Sequence, residues 1–239
     1  DEQVESASII YNGGNDLLSL INEILDLSKV EAGKMHFEFA PVAVNTFATD
    51  INQQFRHVAQ DRDLDFAVNV SEDVPDTFTT DPQRLNQIIK NLLSNALKFT
   101  EQGSVTLNVT TPQHVPAVMG QQRAIAFSVK DTGIGMTPEQ QKIVFEAFQQ
   151  ADGSTSRKYG GTGLGLSISR ELASKLGGII TLDSQVGQGS TFTLYLPIDP
   201  PEQTSDAPSG ADLLSSLGQQ MPAQRRRMAL DARRAGASE

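Results

Sequence analysis

The chain has 239 residues, 38% of them hydrophobic, which is enough for one packed domain with additional segments. It has no cysteine and only three scattered histidines, so disulfides and cysteine-ligated zinc are excluded and a histidine metal site is not expected. The net charge of −10 argues against nucleic-acid binding, and no apolar run approaches the roughly 20 residues that span a bilayer. We therefore expect a cytoplasmic domain that binds any polyphosphate through local dipoles, a metal ion and a few placed cations.

Residues 1–34 are predicted to form a coiled-coil-like helix. Gly33 is a C-terminal stop signal, and Gly13 and Gly14 weaken the early part by roughly 1 kcal/mol each relative to alanine. The apolar residues follow helical spacing in a narrow stripe, as in a coiled coil or a two-helix hairpin. The stripe consists of Leu17, Leu20, Ile21, Ile24, Leu27 and Val30.

Residues 35–198 mix strands and helices in an order that is not strictly alternating, which favours an α+β two-layer sandwich over a doubly wound fold. The strands are predicted at His36–Ala40, Leu64–Val70, Ser104–Thr111, Arg123–Lys130, Ile179–Ser184 and Ser190–Leu196. The helices are predicted at Asn45–Gln60, Pro82–Phe99, Pro138–Val144 and Leu164–Leu176. Asp81-Pro82 and Thr137-Pro138 each supply a cap followed by proline at the first helical position.

Residues 199–239 are predicted to be a linker or a disordered tail. The segment opens with Pro200-Pro201 and is rich in Ser, Ala, Gln and Gly. Arg225–Arg227 and Arg233-Arg234 could bind an anionic partner, although a solvated end is the favoured interpretation.

The predicted helix Pro82–Phe99 separates an apolar arc from a polar stripe on its opposite side. That stripe carries Asn91 and Asn95 one turn apart, followed by Lys98. An amide oxygen is a hard neutral ligand that can join a Mg²⁺ shell completed by phosphates and water. A solvated helix face is the alternative interpretation.

Two glycine-rich motifs follow. Asp131–Met136 (DTGIGM) comes directly after a strand, where a carboxylate can accept a hydrogen bond from an exocyclic amine while the backbone passes close to a flat ring. Gly160–Leu166 (GGTGLGL) opens a helix and can direct several backbone N–H groups at an anion. An ordinary Asp-Gly turn is the alternative interpretation of the first motif.

A polar segment, Gln149–Tyr159, precedes the second glycine motif. Its Arg157 and Lys158 suit a mobile lid that reaches a terminal phosphate. A flexible surface connection is the alternative interpretation of this segment. Phe145 and Phe148 lie three residues apart on a short helix, where packing in the core is favoured over ligand contact.

The order and spacing of these motifs resemble the catalytic ATP-binding domain of sensor histidine kinases. The wider group, the GHKL ATPases and kinases with the Bergerat ATP-binding fold, includes gyrase, heat-shock chaperones and mismatch-repair ATPases. The matching stretches are Asp81–Thr100, Asp131–Met136, Phe145–Gln150 and Arg157–Ser169. Residues 17–34 (LLSLINEILDLSKVEAGK) look like the second dimerisation helix that precedes this domain, particularly in hybrid kinases.

The resemblance implies ATP and Mg²⁺ as cofactors and assigns residues to their phosphate end. Asn95 would ligate Mg²⁺, and Asn91 would face the phosphates one turn earlier. Lys98, Arg157 and Lys158 would contact phosphate. The lid and its hinge would be formed by Gly161, Thr162, Gly163, Leu164 and Gly165.

At the adenine end, the resemblance implies that Asp131 takes the amino group. Thr191 would lie near the ring through a water. The rest of the pocket would be formed by Phe99, Gly133, Gly135, Met136 and Phe148.

Asn91 distinguishes this sequence from its hydrolytic relatives. Gyrase-like members carry a Glu at the matching position, which activates water, whereas a neutral amide cannot act as that base. The resemblance therefore implies that the γ-phosphoryl group is kept for an incoming nucleophile. Catalysis would consist of positioning and charge neutralisation.

The acceptor histidine of such a kinase is not evident. His36, His57 and His114 have no acidic neighbour and do not lie on the N-terminal helix. We expect the chain to be part of a longer parent that is homodimeric, supplies a histidine-bearing helix and relays phosphate to a response regulator or receiver domain. Whether a membrane anchor holds that parent stays open. An ATPase or ATP-gated clamp, and a degenerate module that only binds nucleotide, are the alternatives.

Overall fold

The computed structural model describes residues 13–14, 17–18, 21–22, 24–26, 28–30, 32, 34–120, 122–147 and 163–199. The chain divides after Pro201 into two units, and the second, Glu202–Glu239, lies outside the described residues. The predicted tail 199–239 is thus described only at Asp199. In the described residues, no helix is both long and apolar enough to cross a membrane.

Near the N-terminus, helical residues are described at positions 13–14, 17–18, 21–22, 24–26 and 28–30, and these are called α1 here. The later helices are α2 (Val44–Gln60), α3 (Pro82–Phe99), α4 (Pro138–Ile143) and α5 (Gly165–Lys175). The strands are β1 (Ala40–Ala43), β2 (Asp65–Val70), β3 (Thr77–Thr80), β4 (Ser104–Thr110), β5 (Ala124–Asp131), β6 (Ile179–Gln185) and β7 (Gly189–Pro197).

Five of these strands form one mixed sheet in the order β2-β4-β5-β7-β6. Strand β2 runs parallel to β4, and the remaining pairs are antiparallel. Strands β1 and β3 form a separate antiparallel ribbon. Helices α2, α3 and α5 contact the sheet, and the fold is an α+β sandwich with the helices on one side. The predicted fold class is confirmed.

The core lies between the helices and one face of the sheet. Alternate residues of β4 (Val105, Leu107 and Val109) are fully buried, as the two-residue period of a strand requires. The ring of Phe127 on β5 packs edge-on against Phe47 of α2, with ring centroids 6.0 Å apart. The outer face of the sheet is polar, with an Asn69–Asn108 hydrogen bond across β2 and β4.

Helix α3 is the central helix of this core. Its buried side chains are Leu85, Ile88, Ile89, Leu92, Leu93, Ala96 and Leu97. Each large apolar side chain contributes on the order of 1.5–3 kcal/mol by leaving water. The helix is therefore fixed in rotation about its own axis, and its polar stripe has a defined direction.

The start of α3 is fixed by Asp81. One carboxylate oxygen accepts hydrogen bonds from the backbone N–H groups of Gln83 and Arg84, at 2.9 and 3.0 Å. The other oxygen accepts from the backbone N–H of Glu38, at 2.9 Å. Pro82 at the first helical position has no N–H to satisfy. These signals are local, and α3 has the predicted bounds.

The ribbon differs from the prediction. Residues 34–39 form no strand, and β1 begins at Ala40 and not at His36. The backbone N–H of Glu38 is bound by Asp81 and is not available for pairing with a strand. Strand β3, which pairs Thr77 with Ala43 and Thr80 with Ala40, was not predicted because four residues give too little alternation to be detected.

Helix α1 also departs from a uniform coiled-coil stripe. Val30 is 2% exposed and belongs to the main core cluster, whereas the other described members of the stripe are exposed. Those exposed members are Leu17, Ile21 and Ile24. Leu20 and Leu27 lie outside the described residues.

Candidate functional site

The polar stripe of α3 carries an ordered chain of amides. The Asn95 side-chain N–H₂ donates to Asn91 Oδ1 at 3.5 Å, and the Asn91 N–H₂ donates to Ser169 Oγ on α5 at 2.9 Å. Because each amide donates in the same direction, the Asn95 oxygen accepts none of the hydrogen bonds among the described residues. A neutral oxygen ligand is therefore available at Asn95.

Gly165, the first residue of α5, lies directly against this chain. A Cβ at Gly165 would meet Asn91 Oδ1, so the start of α5 approaches α3 as closely as only glycine permits. The last glycine of the predicted phosphate loop is thereby placed beside the predicted phosphate-facing amide. Leu164, which precedes it, is fully buried.

Lys98 and Phe99 end the stripe. The Lys98 ammonium lies 5.0 Å from the centroid of the Phe99 ring, a cation–π distance. Partial burial lowers the pKa of Lys98 from its ordinary value because burial disfavours the charged form. An anion bound near Lys98 would offset that cost by favouring the charged form.

Asp131 lies at the end of β5 and is 5% exposed. Its Oδ1 accepts hydrogen bonds from the backbone N–H groups of Gly133, at 2.8 Å, and Ser190, at 3.2 Å. Burial raises the pKa of Asp131, and these two bonds oppose the rise. Since both bonds end on Oδ1, Oδ2 is available to accept from a ligand amine.

The glycines after Asp131 allow the backbone to turn tightly. A Cβ at Gly133 would meet the carbonyl oxygen of Phe99, which ties this turn to the end of α3. Gly135 has φ +64°, and a Cβ there would meet the carbonyl oxygen of Gln185 in the β6–β7 turn. Met136 is half-buried, and its backbone N–H donates to Ser184 Oγ at 2.9 Å.

Ile134 is a residue that the sequence reasoning missed. Its side chain is 49% exposed beside the buried Asp131, and Val186, 60% exposed, lies in the neighbouring turn. The two segments are joined by a 2.7 Å hydrogen bond from the Gly187 N–H to the Ile134 carbonyl. The signal available in the sequence was an isoleucine between two glycines in a turn, where a large apolar residue is unexpected.

The side chain of Thr191, which the resemblance placed near the adenine ring, does not lie on the side of the sheet that carries Asp131. It pairs with Lys130 on β5 and Asp183 on β6, so its side chain is on the polar outer face of the sheet, opposite to Asp131. Ser190, one residue earlier, is on the Asp131 face: its backbone N–H binds Asp131, and its hydroxyl lies 2.9 Å from that of Ser184. Ser190 therefore replaces Thr191 as the candidate at this position.

Several predicted site residues lie outside the described residues: Phe148, Arg157, Lys158, Gly161 and Thr162. The rest of the predicted glycine loop begins at Gly163, which has φ +73°. Phe145 packs edge-on against Phe192, with centroids 6.1 Å apart, in agreement with a core role. His36, His57 and His114 are exposed.

The donor set fits magnesium only if the nucleotide supplies most of the ligands. Among the described residues there is no group of three or more His, Asp or Glu side chains that could hold a metal ion. Asn95 offers one amide oxygen, and Mg²⁺ in phosphate sites takes few protein ligands together with phosphate oxygens and water. The site is thus suited to a metal–nucleotide complex and not to a free ion.

The family assignment rests on comparison with known proteins. Residues 80–200 match the model of the family described as histidine kinase-, DNA gyrase B-, and HSP90-like ATPase. The chain belongs to this family. The predicted resemblance is confirmed, and the amide stripe, Asp131 and α5 all lie within the matched residues.

The similar curated proteins are sensor kinases. The chain is 40% identical over 197 residues to the signal transduction histidine-protein kinase BarA of Escherichia coli, covering 82% of this chain and 21% of BarA. It is 40% identical over 223 residues to the circadian input-output histidine kinase CikA of Synechococcus elongatus, covering 90% of this chain and 28% of CikA. The chain thus spans less than a third of the length of these relatives.

Solved structures agree with the fold. The structure of full-length ShkA in complex with AMPPNP aligns with TM-score 0.71 and 31% identity, over 84% of this chain and 40% of ShkA. The catalytic domain of histidine kinase ThkA aligns over 69% of this chain and all of that domain, with TM-score 0.55 and 23% identity, a likeness of fold alone. The fold is therefore that of histidine kinase catalytic domains, which implies ATP binding.

The Asp131 arrangement predicts that Asp131→Asn separates binding from stability. Asparagine keeps an oxygen for Gly133 and Ser190 but would present N–H₂ in place of Oδ2 to the amine of a bound adenine. We expect affinity for an ATP analogue to fall about 10- to 100-fold by calorimetry, because two donors then face each other. The exposed carboxylate Asp183, on the outer face of β6, provides the control Asp183→Asn, which should bind as wild type does.

The stability of Asp131→Asn should depend on pH in a defined direction. A raised pKa means that ionising Asp131 disfavours the folded state, and this cost appears as the pH rises above about 4, the ordinary value. Urea unfolding at pH 7 should therefore show Asp131→Asn as stable as wild type or more so, with the difference disappearing in acid. A loss of stability at pH 7 would contradict the assigned cause.

Proposed function

We propose that this chain is the catalytic ATP-binding module of a longer sensor histidine kinase. It binds Mg²⁺ and ATP and presents the γ-phosphoryl group to a histidine on another segment of the parent, for relay to a response regulator aspartate. The observation that supports this most directly is the hydrogen-bonded chain Asn95–Asn91–Ser169, which contains no carboxylate. Residues 1–34 are the second dimerisation helix, 35–198 the ATP-binding domain and 199–239 a linker or tail.

The adenine end of the pocket is formed around Asp131. Its Oδ2 accepts from the exocyclic amine, while the exposed Ile134 covers one face of the ring. Gly133 and Gly135 let the backbone pass close to the nucleotide, and Ser190 holds the Asp131 carboxylate in place. Recognition by a carboxylate favours adenine over guanine because guanine presents a carbonyl oxygen at the corresponding position.

The phosphate end is formed by α3 and the start of α5. Asn95 supplies an amide oxygen to Mg²⁺, Asn91 faces the phosphates, and Lys98 provides a cation. Backbone N–H groups from Gly163 to Gly165, at the N-terminus of α5, face the same anion, where the helix dipole favours negative charge. The remaining proposed contacts with the nucleotide come from Phe99, Met136, Phe148, Arg157, Lys158, Gly161 and Thr162.

Asn91 directs the chemistry towards transfer and away from hydrolysis. Hydrolysis needs a base that accepts a proton from water, and a neutral amide already donating to Ser169 is a poor proton acceptor. The bound nucleotide is thus held and neutralised until a nucleophile with its own proton acceptor arrives. The residues of this domain position and stabilise charge, which is how most phosphoryl-transfer catalysis is achieved.

The exposed apolar residues of α1 and the lack of an evident acceptor histidine indicate the proposed partners. The apolar side chains Leu17, Leu18, Ile21, Ile24 and Leu25 are 41–60% exposed on one side of α1, which supports dimerisation of the parent through helix pairing. The acceptor histidine comes from that parent's helix, and the receiver is a response regulator or a receiver domain. We place the module in the cytoplasm, with nucleic acid excluded as a partner by the charge.

An ATPase or ATP-gated clamp is the alternative function, since gyrase-like and chaperone-like members share the family model. The amide at Asn91 disfavours it. A module that binds nucleotide without transferring phosphate is disfavoured by the ordered amide chain and the available Asp131 oxygen.

Removal of the proposed metal ligand should abolish the magnesium dependence of binding. For Asn95→Ala, calorimetry should show weak affinity for AMPPNP that is the same with Mg²⁺ and with EDTA, while wild type binds tightly only with Mg²⁺. Asn86→Ala is the matched control because Asn86 lies on the opposite side of the same helix. Retained magnesium dependence in Asn95→Ala would remove Asn95 from the metal site.

Transfer of the γ-phosphoryl group can be distinguished from ATP hydrolysis by following labelled phosphate. With γ-labelled ATP alone, this chain should release no steady phosphate. When the histidine-bearing helix of the parent is added, label should appear on that helix as acid-labile, base-stable phosphate. Continuous phosphate release by the chain alone would instead favour the ATPase.

A further inference from the structure

The described residues of α1 that contact the ATP-binding domain lie on one side of the helix. Val30 is buried in the core cluster, and Asp26, one turn earlier, is on the same side of the helix. The exposed apolar residues of α1 lie on the opposite side. The side that carries Asp26 is therefore a docking contact within this chain, separate from the apolar side that supports dimerisation.

The contact is a directed polar relay between α1 and α3. The Gln87 side-chain N–H₂ donates to Asp26 Oδ2 at 2.9 Å, and the Arg84 guanidinium donates to Gln87 Oε1 at 2.9 Å. Arginine has only donors, so it fixes the oxygen end of the Gln87 amide and leaves the N–H₂ end for Asp26. Asp26, Gln87 and Arg84 thus form one unit, called here the α1–α3 relay.

The relay lies in an open cleft that is lined by polar and charged residues. Asn22 on α1 and Lys90 on α3 line this cleft together with the relay residues. Arg84 Nε is buried and has no hydrogen-bond partner among the described residues. Separation of α1 from α3 would expose groups that water can satisfy, so the free-energy cost of opening is small compared with opening an apolar core.

The relay shares a helix face with the proposed phosphate site. Gln87 and Asn91 are four residues apart on α3, about 6 Å along the helix axis. A polyphosphate at Asn91 would bring negative charge close to the Asp26 carboxylate and would attract Arg84 away from Gln87. The nucleotide would therefore repel the Asp26 carboxylate and draw away the guanidinium that fixes the Gln87 amide.

We propose that the α1–α3 relay is a nucleotide-sensitive latch. Without nucleotide it holds α1 against α3. When Mg²⁺ and ATP occupy the site at Asn91, the negative charge weakens the Asp26–Gln87 hydrogen bond. Asp26 and the part of α1 that precedes it then separate from α3. The nucleotide-sensitive part rests on the proposed function, which places the phosphates at Asn91, whereas the holding contact does not.

Because the chain has no cysteine, two introduced cysteines can carry spin labels without further changes. Leu18→Cys on α1 (60% exposed) and Val58→Cys on α2 (42% exposed) report the distance between α1 and the domain. Double electron–electron resonance should give one narrow distance distribution without nucleotide. Addition of Mg²⁺ and AMPPNP should broaden it and shift it to longer distances.

Charge-swapped variants test the relay without nucleotide. Gln87→Glu keeps the shape and the bond to Arg84 but places a carboxylate against Asp26, so the distribution should broaden. Adding Asp26→Asn restores a donor–acceptor pair with reversed polarity and should restore the narrow distribution. Asn22→Ala, in the same cleft, is the control and should behave as wild type.

Linkage gives an independent measurement. If nucleotide opens the latch, removal of the carboxylate must tighten nucleotide binding, because coupling between two equilibria is reciprocal. We expect Asp26→Ala to bind AMPPNP about two- to fivefold more tightly in calorimetry.

The possible outcomes separate the latch from the proposed function. An unchanged distribution in Gln87→Glu, or no recovery in Gln87→Glu with Asp26→Asn, would overturn the latch. A wild-type distribution that AMPPNP leaves narrow, although calorimetry shows binding, would overturn its sensitivity to nucleotide. Absence of AMPPNP binding would overturn the proposed function, while the charge-swap result would still decide whether the relay holds α1.

Discussion

The fixed rotation of α3 is the constraint on which the rest of the structure depends. Its apolar arc is buried against the sheet, so the polar stripe from Arg84 to Lys98 must face away from the core in one direction. Asp81 fixes the first turn through two backbone hydrogen bonds and ties it to Glu38 through a third. A rotation of one residue about the axis would bury amides and expose leucines, and both changes are unfavourable.

The two functions proposed here lie along that one stripe. The C-terminal half carries the amides and the cation proposed for the metal–nucleotide complex, and the N-terminal half binds α1 through Gln87 and Asp26. Because the two halves are separated by a single turn, a change in charge at one half alters the electrostatic energy of the groups at the other. Nucleotide occupancy and the position of the N-terminal helix can therefore be coupled without any rearrangement of the core.

Features that are determined by neighbouring residues could be predicted from the sequence. The α3 bounds follow from Asp81, Pro82 and the apolar period, and the position of Asp131 at a strand end follows from its alternating neighbours. Features that depend on strand register or on contacts between distant residues could not be predicted from the sequence. Ser190, and not Thr191, faces Asp131 because strand register decides the side, and a one-residue shift reverses it. The Asp26–Gln87 contact joins positions 61 residues apart and has no local signal.

The central claim is that Asp131 and Asn95 mark the two ends of one Mg²⁺–ATP site. A crystal structure of this chain with Mg²⁺ and AMPPNP tests it most directly. We predict that Asp131 Oδ2 accepts a hydrogen bond from the adenine amino group and that the Asn95 amide oxygen coordinates the Mg²⁺ bound to the phosphates. A nucleotide bound elsewhere, or a metal that Asn95 does not touch, would contradict the account.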